Sequence, residues 1–427
     1  MPRVLNPLDI STHSTIARNT FSISPTSLAL ATFDWGIQLS LSPGKRLELV
    51  TLGLNQFIRL SCYSRSTLLD KEGRSSTECV VPPSFDKRFQ PEQWQRWPFN
   101  ILHQTFLLTD EWWNAATTNV LGVSRHHEHI VSFMARQWLD MMSPGNFPLT
   151  NPVVIQKTTK SHGRNLVRGA INFIDDFDRV MSRKPPATTE QFVVGSDLAA
   201  TQGKVIMRNR LVELIQYQPQ TSMVYPEPVL IMPAWIMKYY ILDLFPTSSL
   251  VEFLVQKGHT VFCISWKNPG SQDRDLDFDD YLMLGFLESL KAINKIVPNQ
   301  KIHATGYCLG GTALAIAAAF MAREHDERLA SISLFTAQTD FRESGELALF
   351  IDESEVSLLE AQMHEKGYLS AGQMAGAFQM LRSNDLMWSR MTHGFTEGIR
   401  TVANRSCTIV PQSLDDLRLT EYFAGSF

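Results

Sequence analysis

The sequence predicts an α/β fold in which a mostly parallel sheet, covered by helices on both faces, follows a helical N-terminal region. Two observations lead to this prediction. Beyond about residue 186, short apolar runs typical of strands alternate with longer segments of helical periodicity. Before that point, apolar residues recur at three- and four-residue spacing instead. A length of 427 residues also exceeds what a single core usually holds, which favours two domains.

The N-terminal domain is predicted to occupy residues 1–185. Its helices are expected in five segments of helical apolar spacing: Ser24–Ser40, Leu47–Leu60, Phe99–Thr117, Ile130–Met142 and Asn165–Met181. The stretch Ser143–Pro152 (SPGNFPLTNP) is rich in Pro, Gly and Asn and predicts a loop. The polar, proline-containing stretch Ser182–Thr189 (SRKPPATT) is the expected linker between the domains.

The second domain, 186–427, begins with a predicted hairpin of Gln191–Val194 and Val205–Arg208, with Gln202-Gly203 as its turn. Short apolar runs then predict further strands: Leu211–Gln216, Val229–Met232, His259–Trp266, Ile302–Tyr307 and Leu329–Ala337. Helices are expected between them, at Leu250–Lys257, Phe278–Val297 and Thr312–His325. The β-α-β-α-β order is typical of parallel strands with crossover helices.

Composition narrows the function classes. The net charge is −4 and no block of like charges occurs, which argues against nucleic acid as a partner. The chain has five cysteines without a CxxC pair (Cys62, Cys79, Cys263, Cys308 and Cys407), so a zinc ribbon or a disulfide framework is not indicated. The N-terminus lacks the apolar segment of a signal peptide, and the longest apolar stretch, around Ala313–Ala322, is too short for a transmembrane helix. We therefore expect a cytoplasmic protein.

The most informative motif is Gly306-Tyr307-Cys308-Leu309-Gly310, at the junction of a predicted strand and a predicted helix. A nucleophile between two such glycines sits on a tight turn, where a larger neighbour would clash with the adjoining strand or helix. The turn lifts the Cys308 thiol off the sheet and directs the helix N-terminus and the Leu309 N–H to the same point. A buried structural cysteine in a glycine-rich turn is the alternative.

A second N–H for an oxyanion is expected from the loop after an earlier strand. The run Val229–Met232 is that strand, and Pro233–Tyr240 (PAWIMKYY) is that loop. From spacing alone, a packed aromatic loop without a catalytic role is equally compatible with this segment.

These residues resemble the polyhydroxyalkanoate (poly-3-hydroxybutyrate) synthase family. The segment Gly306–Thr312 (GYCLGGT) is similar to that family's lipase-like box, in which cysteine replaces the serine of hydrolases. The similarity extends over about residues 20–400, through the segments Trp97–Asn100, Ser143–Pro152, Arg164–Gly169, Pro233–Leu244, Gly258–Pro269, Asp279–Tyr281, Phe350–Asp352 and Arg382–Trp388.

The resemblance implies an α/β-hydrolase-type catalytic domain behind a helical N-terminal domain, with a lid from about residue 341. It also implies a transferase that polymerises (R)-3-hydroxyacyl-coenzyme A into polyester through an acyl thioester on Cys308. Leu309 N–H and Ile236 N–H would stabilise the oxyanions, with Gly306, Gly310 and Gly311 as structural glycines. Met237 stands where the family more often has Asn. Neither a cofactor nor a metal is expected, since the coenzyme A thioester is the substrate.

The resemblance leaves the catalytic constellation incomplete. In the family, the Asp and His of the triad lie on late strands, beyond the segment that Arg382–Trp388 matches, and no comparable segment follows here. From about Asn404 the similarity ends, so we expect a fold that lacks its late strands, as in a truncated, frameshifted or fragmentary chain. Asp340, His364 and His393 are possible substitutes, but a sheet-end carboxylate and surface histidines are the favoured interpretation. His126, His127 and His129 are interpreted as a helix surface rather than a metal site.

Three hypotheses follow. The first is a polyester synthase acting through Cys308, located in the cytoplasm on the surface of polyester granules and forming a homodimer. The second is a cysteine-box hydrolase of esters, against which the long N-terminal domain argues. The third is a catalytically inactive chain that retains dimer or granule contacts.

Overall fold

The computed structural model describes residues 6–20, 23–69, 78–83, 86–182, 184, 187, 192–246, 248–342, 344–369, 388 and 392. They belong to two compact units. The first comprises residues up to Thr188 together with Glu346–Ala361, and the second comprises Thr189–Gly345 together with residues 362–371. The segment Glu346–Ala361 thus clusters with the first unit, whereas the sequence interpretation placed everything from about 341 in a lid of the second domain. The domain scheme 1–185 and 186–427 stays a prediction.

The first unit is helical where it is described. Its helices are α1 (Pro7–Asn19), α2 (Pro25–Ser40), α3 (Pro43–Leu69), α4 (Phe99–Thr117), α5 (Arg125–Met141), α6 (Pro152–Ser161) and α7 (Arg164–Met181). Four of them begin after a residue whose side chain accepts a hydrogen bond from a backbone N–H of the first turn: Asn6, Ser24, Ser124 and Asn151. Helices α1 and α6 were not among the predicted helices.

Two hydrogen bonds join the N-terminal end of α2 to the segment Glu346–Ala361 within this first unit. The Ser24 N–H donates to Glu355 Oε1 over 2.8 Å, and the Ser27 hydroxyl donates to Asp352 Oδ2 over 2.6 Å. Glu355 is only 3% exposed. Burial raises its pKa to about 7, despite the hydrogen bond from Ser24. The segment is therefore held by buried hydrogen bonds as well as by the apolar contact of Leu349 with α2 and α5.

The second unit contains a six-stranded sheet and a two-stranded ribbon. Its strands are β1 (Gly203–Arg208), β2 (Val212–Tyr217), β3 (Val229–Met232), β4 (Asp243–Phe245), β5 (Ser248–Ser249), β6 (Val261–Trp266), β7 (Ile302–Tyr307) and β8 (Leu329–Phe335). The large sheet has the order β1-β2-β6-β3-β7-β8. The strands β6, β3, β7 and β8 are parallel to one another, and the β1–β2 and β2–β6 pairs are antiparallel.

One part of the sequence prediction was wrong. The hairpin consists of β1 and β2, not of Gln191–Val194 and Val205–Arg208. Gly203 lies inside β1, opposite Tyr217, and not in a turn. The turn is instead made at Asn209, whose side-chain oxygen accepts hydrogen bonds from the N–H groups of Leu211 and Val212.

Helices cover both faces of the sheet, as the sequence predicted. The helices of this unit are α8 (Leu250–Gln256), α9 (Phe278–Asp280), a π-helical stretch (Tyr281–Leu287), α10 (Glu288–Ile296) and α11 (Leu309–Arg323); a further helix, α12 (Glu353–Lys366), begins in the segment that clusters with the first unit. The π-helical stretch, α10 and α11 pack on one face over Leu230, Phe262 and Ile264. Helix α8 packs on the opposite face over Ile231 and Cys263. Alternate residues of β3 and β6 therefore enter two separate apolar cores.

Strand β8 forms one edge of the described sheet. Its only strand partner among the described residues is β7. The side chains of Ile332, Leu334 and Phe335 are each between 37% and 41% exposed. An uncharged strand of this kind, with one open edge, is a template for pairing with another strand.

Candidate active site

Cys308 occupies a strained turn between β7 and α11. Its backbone has φ 54° and ψ −127°, a conformation that costs a non-glycine residue free energy and persists only where its surroundings enforce it. The Cys308 N–H donates to Phe335 O over 2.9 Å, and the Cys308 carbonyl accepts from Gly311 N over 2.8 Å and Thr312 N over 3.1 Å. The turn is thus fixed by β8 on one side and by the first turn of α11 on the other.

The three glycines of the motif allow backbone contacts that no side chain would permit. A Cβ on Gly306 would lie 2.4 Å from Gly311 Cα, and one on Gly311 would lie 2.5 Å from the Cβ of Ala337. A Cβ on Gly310 would lie 2.2 Å from the carbonyl oxygen of Met232 at the end of β3. The glycines therefore let α11 approach both β7 and β3 closely, and this approach produces the turn.

The Cys308 thiol lies in apolar surroundings. It is half-buried and packs against the buried cluster that includes Tyr307, Ile231 and Cys263. Burial raises the pKa of the thiol, and the nearby Leu309 N–H opposes this effect only in part. The thiol is therefore mostly protonated at neutral pH, so a nucleophilic role requires a group that accepts its proton.

The loop that follows β3 lies beside this turn. The Trp266 Nε1–H donates to Pro233 O over 2.7 Å, and the Met237 N–H donates to Ala234 O over 3.1 Å. Ile236 sits in the turn that the latter hydrogen bond closes. Since Gly310 contacts Met232 and Pro233 directly, the start of α11 and the start of this loop are adjacent. The loop that contains Ile236, whose N–H is the expected second donor to an oxyanion, therefore begins at the same end of the sheet as Cys308.

A buried carboxylate anchors the far end of that loop. Asp243 is 2% exposed, and its Oδ1 accepts hydrogen bonds from the Thr201 and Ser249 hydroxyls, each over 2.6 Å. Its backbone carbonyl accepts from the Ala199 N–H over 2.9 Å. Burial raises the pKa of Asp243, against the effect of both hydroxyls. Sequence reasoning did not single out this residue, although a lone acid within the apolar run YYILDLF was a visible signal.

Among the described residues, the contacts of the other acids and histidines considered from the sequence do not involve Cys308. Asp340 is exposed and forms an ion pair with Arg342, and its pKa is lowered chiefly by the hydrogen bond from that guanidinium. His303 Nδ1 lies 2.8 Å from the Ser331 hydroxyl, and His364 belongs to α12. His393 is outside the described residues. Within the described part of the chain, no His, Asp or Glu side chain forms a hydrogen bond with Cys308.

Two of the three histidines of α5, His126 and His127, face carboxylates. His127 Nδ1 lies 2.6 Å from Asp34 Oδ2, and His126 Nε2 lies 3.6 Å from Asp352 Oδ2. Hydrogen bonding to His127 chiefly lowers the pKa of Asp34. No group of three or more His, Cys, Asp or Glu residues that could hold a metal is found in the part of the chain that the structure describes. Of the helices in the same part, none combines the length and the apolar character needed to cross a bilayer.

Comparison with known families gives three matches along the chain. Residues 85–254 match the model of the poly-beta-hydroxybutyrate polymerase N-terminus, and residues 3–45 match a second model, poly-beta-hydroxybutyrate polymerase N terminal. Residues 227–381 match the alpha/beta hydrolase fold. This last match and the sheet order agree on the fold of the second unit. A crystal structure of an alpha/beta hydrolase from Novosphingobium aromaticivorans, 14% identical, covers 31% of this chain and 43% of its own with a TM-score of 0.21, so it adds no argument.

Curated relatives are similar over most of the chain. The poly(3-hydroxyalkanoate) polymerase of Methylorubrum extorquens is 39% identical over 336 residues, which are 78% of this chain and 56% of that protein. A polymerase subunit of Rhizobium etli is 38% identical over 83% of this chain and 57% of its own length. One from Cupriavidus necator is 34% identical over 74% of this chain and 54% of its own. The chain thus spans somewhat more than half the length of these relatives.

Proposed function

Because the chain belongs to the polyhydroxyalkanoate synthase family, we propose that it transfers (R)-3-hydroxyacyl groups from coenzyme A to Cys308 and from there to a growing polyester. The observation that supports this most directly is the backbone of Cys308. Cys308 has a positive φ and precedes the first residue of α11, so its thiol is proposed to face the N–H groups of Leu309 and Ile236. A cysteine with only a structural role would not require a backbone conformation that costs free energy.

The first half of the proposed reaction exchanges one thioester for another. The Cys308 sulfur, after losing its proton, attacks the carbonyl carbon of the acyl-coenzyme A. A tetrahedral oxyanion forms, the bond from carbon to the coenzyme A sulfur breaks, and coenzyme A leaves as the thiol with one proton. Since one thioester replaces another, the step is close to balanced in free energy, and the acyl group stays activated for the next transfer.

The oxyanion is proposed to be held by two backbone donors. Leu309 N–H lies at the start of α11, where the N–H groups have no partner within the helix. Ile236 N–H belongs to the loop between β3 and β4. Both are backbone groups, so the Met237 side chain does not alter their capacity to donate. Such donors are commonly worth ~10²–10³ in rate each.

The second half transfers the acyl group to a hydroxyl at the end of the polymer. That hydroxyl must lose its proton as it attacks the thioester, and a positioned base commonly contributes ~10²–10⁴ in rate. No described imidazole or carboxylate contacts Cys308, so we assign no residue of the described part to this base. The proposal for the described residues therefore concerns acylation of Cys308. We propose no cofactor beyond the coenzyme A thioester.

We also propose where in the cell this protein is located and how its copies assemble. A polyester product is insoluble in water, so a synthase that stays attached to its product would be found on the granule surface in the cytoplasm. A homodimer is likewise proposed, in keeping with the resemblance described for the sequence.

Acylation is tested with a 3-hydroxybutyryl-coenzyme A analogue whose product cannot be elongated. Mass spectrometry of the digested protein should find the acyl group on Cys308, and the variant Cys308→Ala should lose it. Cys62→Ala is the matched control, since Cys62 is exposed and lies in the first unit. Acyl groups on Cys62 or Cys263 but not on Cys308 would overturn the assignment.

The fate of the acyl group in this experiment distinguishes the three hypotheses. Release of the free hydroxy acid from acylated Cys308 would indicate an ester hydrolase, and transfer to an added hydroxybutyrate oligomer would indicate a synthase. An acyl group that remains on Cys308 without either outcome would indicate that the chain performs the first half-reaction alone. A chain that is not acylated at all would be inactive in the sense of the third hypothesis.

A further inference from the structure

We propose that Trp266 is a positioning residue for acyl transfer, which fixes the loop 233–242 through its hydrogen bond to Pro233. The inference rests on the proposed function, because it concerns the loop whose Ile236 N–H is the proposed second donor to the oxyanion. Trp266 acts through this loop and not on the reacting atoms.

The indole of Trp266 lies where the loop begins. Trp266 is the last residue of β6 and is 7% exposed. Its Nε1–H donates to Pro233 O over 2.7 Å, and Pro233 is buried as well. A buried indole N–H and a buried carbonyl oxygen each cost free energy without a partner, so this bond satisfies both groups. Since Pro233 directly follows β3, the orientation of its carbonyl sets the direction in which the chain leaves the sheet.

The same carbonyl group also lies against α11. A Cβ on Gly310 would lie 2.6 Å from Pro233 O and 2.6 Å from its carbonyl carbon. Gly310 directly follows Leu309, the proposed first donor to the oxyanion. The two segments that carry the proposed donors therefore meet at the Pro233 carbonyl, and the indole of Trp266 holds this carbonyl in one orientation.

The indole is itself restricted by its neighbours. The ring of Tyr281 lies 5.3 Å from the ring of Trp266 between centroids, with a tilt of 37°. A Cβ on Gly285 would lie 2.4 Å from Cη2 and 2.5 Å from Cζ3 of the indole. Both neighbours belong to the π-helical stretch, a conformation that is frequent at functional sites. The absence of a side chain at Gly285 thus allows the indole to take the position from which it reaches Pro233.

A second aromatic contact holds the middle of the loop. The ring of Trp235 lies 5.3 Å from that of Tyr281 and 6.0 Å from that of Phe278, between centroids. Trp235 directly precedes Ile236 in the chain. Tyr281 therefore contacts both Trp235 and Trp266, so the loop is held on either side of its first turn by one aromatic cluster.

Two reactions of Cys308 differ in their need for this loop. Acyl transfer passes through an oxyanion, whereas iodoacetamide alkylates the same thiol by loss of iodide and forms no oxyanion. A displacement of a catalytic group by about 1 Å can cost ~10²-fold in rate. The ratio of the acylation rate to the alkylation rate therefore reports on the oxyanion donors, while ionisation and exposure of the thiol affect both rates.

The test measures both rates at Cys308, with the 3-hydroxybutyryl-coenzyme A analogue and with iodoacetamide. Trp266→Phe keeps an aromatic ring but removes the N–H, so acylation should slow about tenfold or more while alkylation changes less than about twofold. Ile293→Val is the matched control, because Ile293 is fully buried in the same apolar core but belongs to α10. It should leave the ratio unchanged. A wild-type ratio in Trp266→Phe would overturn the proposal.

Gly285→Ala tests the position of the indole from the other side. The new Cβ should displace the indole, so acylation should slow while alkylation does not. The same change in the Trp266→Phe background should have little further effect, because phenylalanine lacks Cη2 and Cζ3. Equal losses in the two backgrounds would contradict the proposal, since Gly285 would then act without the indole.

Alkylation of the fully buried Cys263 shows whether each variant is folded. If Trp266→Phe does not fold, the same rates are measured with 3-benzothienylalanine at position 266, in which sulfur replaces the indole N–H and the shape of the ring is kept. Acylation at the wild-type rate in that protein would overturn the proposal. A wild type that is not acylated at Cys308 would instead overturn the proposed function, and this inference with it.

Discussion

Replacing Gly310 by alanine should destabilise the second unit more than any other single methyl group added to the cysteine motif. The new Cβ would lie 2.2 Å from Met232 O and 2.6 Å from the carbonyl carbon of Pro233. All of these neighbours are backbone atoms, and Met232 is fully buried at the end of β3. No side chain can rotate away, so either α11 or β3 must move by about 1 Å or more to restore normal separations.

The size of the effect follows from this geometry. Adding a methyl group to a packed core commonly costs ~1–3 kcal/mol, and the cost is lower when a flexible side chain can yield. Here the obstacle is backbone, so we expect about 3 kcal/mol or more. That is a large share of the ~5–15 kcal/mol that stabilises a typical domain. Gly36→Ala is the control, because Gly36 lies in α2 with nothing within 4 Å of its added Cβ. It should stabilise α2 by ~0.5–1 kcal/mol.

The assay uses Cys263 as a reporter of the second unit. This thiol is fully buried in β6, so it reacts with an alkylating reagent only when the unit opens. Alkylation of Cys263 is measured against urea concentration for the wild type and both variants. Gly310→Ala should shift the midpoint to lower urea, and Gly36→Ala should leave the midpoint for Cys263 unchanged. A wild-type midpoint for Gly310→Ala would refute the inference that backbone contact between α11 and β3 requires glycine.

Three further outcomes are expected. The alkylation rate of Cys308 by iodoacetamide should rise about tenfold per pH unit from pH 7 to 9, because burial raises the pKa of this thiol; a plateau near pH 7 would contradict this. Glu355→Gln should stabilise the first unit at pH 8 and have little effect at pH 5. Folding favours the protonated form of Glu355, because its pKa is raised to about 7 in the folded protein. The wild type therefore loses stability as the pH rises from about 4.5 to 7. Equal urea midpoints for the wild type and Glu355→Gln at pH 8 would contradict this. Limited proteolysis should cleave first near Lys184, and cleavage within 211–266 would contradict the predicted linker.

The sequence predicted best those elements whose ends have a local physical cause. The helix α4 has the predicted bounds, Phe99–Thr117, and the strand β7 has the predicted bounds, Ile302–Tyr307. Pro98 precedes the first and the glycine-flanked turn follows the second, so local backbone restrictions set the boundary in each case. The alternation of strands and helices likewise predicted the parallel part of the sheet and its two covered faces.

The two elements that the sequence predicts wrongly, the start of α6 and the hairpin, have local explanations as well. The loop predicted from the sequence includes Asn151 and Pro152, yet Asn before a first-turn Pro is a helix start, and Asn151 Oδ1 accepts from the N–H groups of Val153 and Val154. The predicted hairpin is misplaced because glycine is also typical of turns, and Gly203 is not in one. In the structure a Cβ on Gly203 would lie 3.0 Å from the Ile215 side chain, so this glycine serves close pairing of β1 with β2.

At the site, the sequence predicted the turn but not its surroundings. The roles of Gly306, Gly310 and Gly311 follow from a strand that meets a helix at a short turn, which is a local property. The buried Asp243 is different, because its partners Thr201 and Ser249 come from separate segments of the chain. The same is true of the pKa of Cys308, which is raised by burial, because the cluster around the thiol includes residues from other strands, such as Ile231 and Cys263.

Acyl transfer through Cys308, as we propose it, has two separate requirements: stabilisation of the oxyanion and ionisation of the thiol. In the proposed reaction, the strained turn and the N–H groups of Leu309 and Ile236 would stabilise an oxyanion, which forms only after attack on the thioester. Ionisation of the thiol must come first, and here burial opposes it, with the Leu309 N–H as the counteracting group. A helix N-terminus favours a thiolate within its first turn, but the raised pKa shows that desolvation outweighs this contribution. In the reaction that we propose, the turn would therefore contribute to stabilising the transition state, whereas removal of the thiol proton would depend on a group that does not contact Cys308 among the described residues.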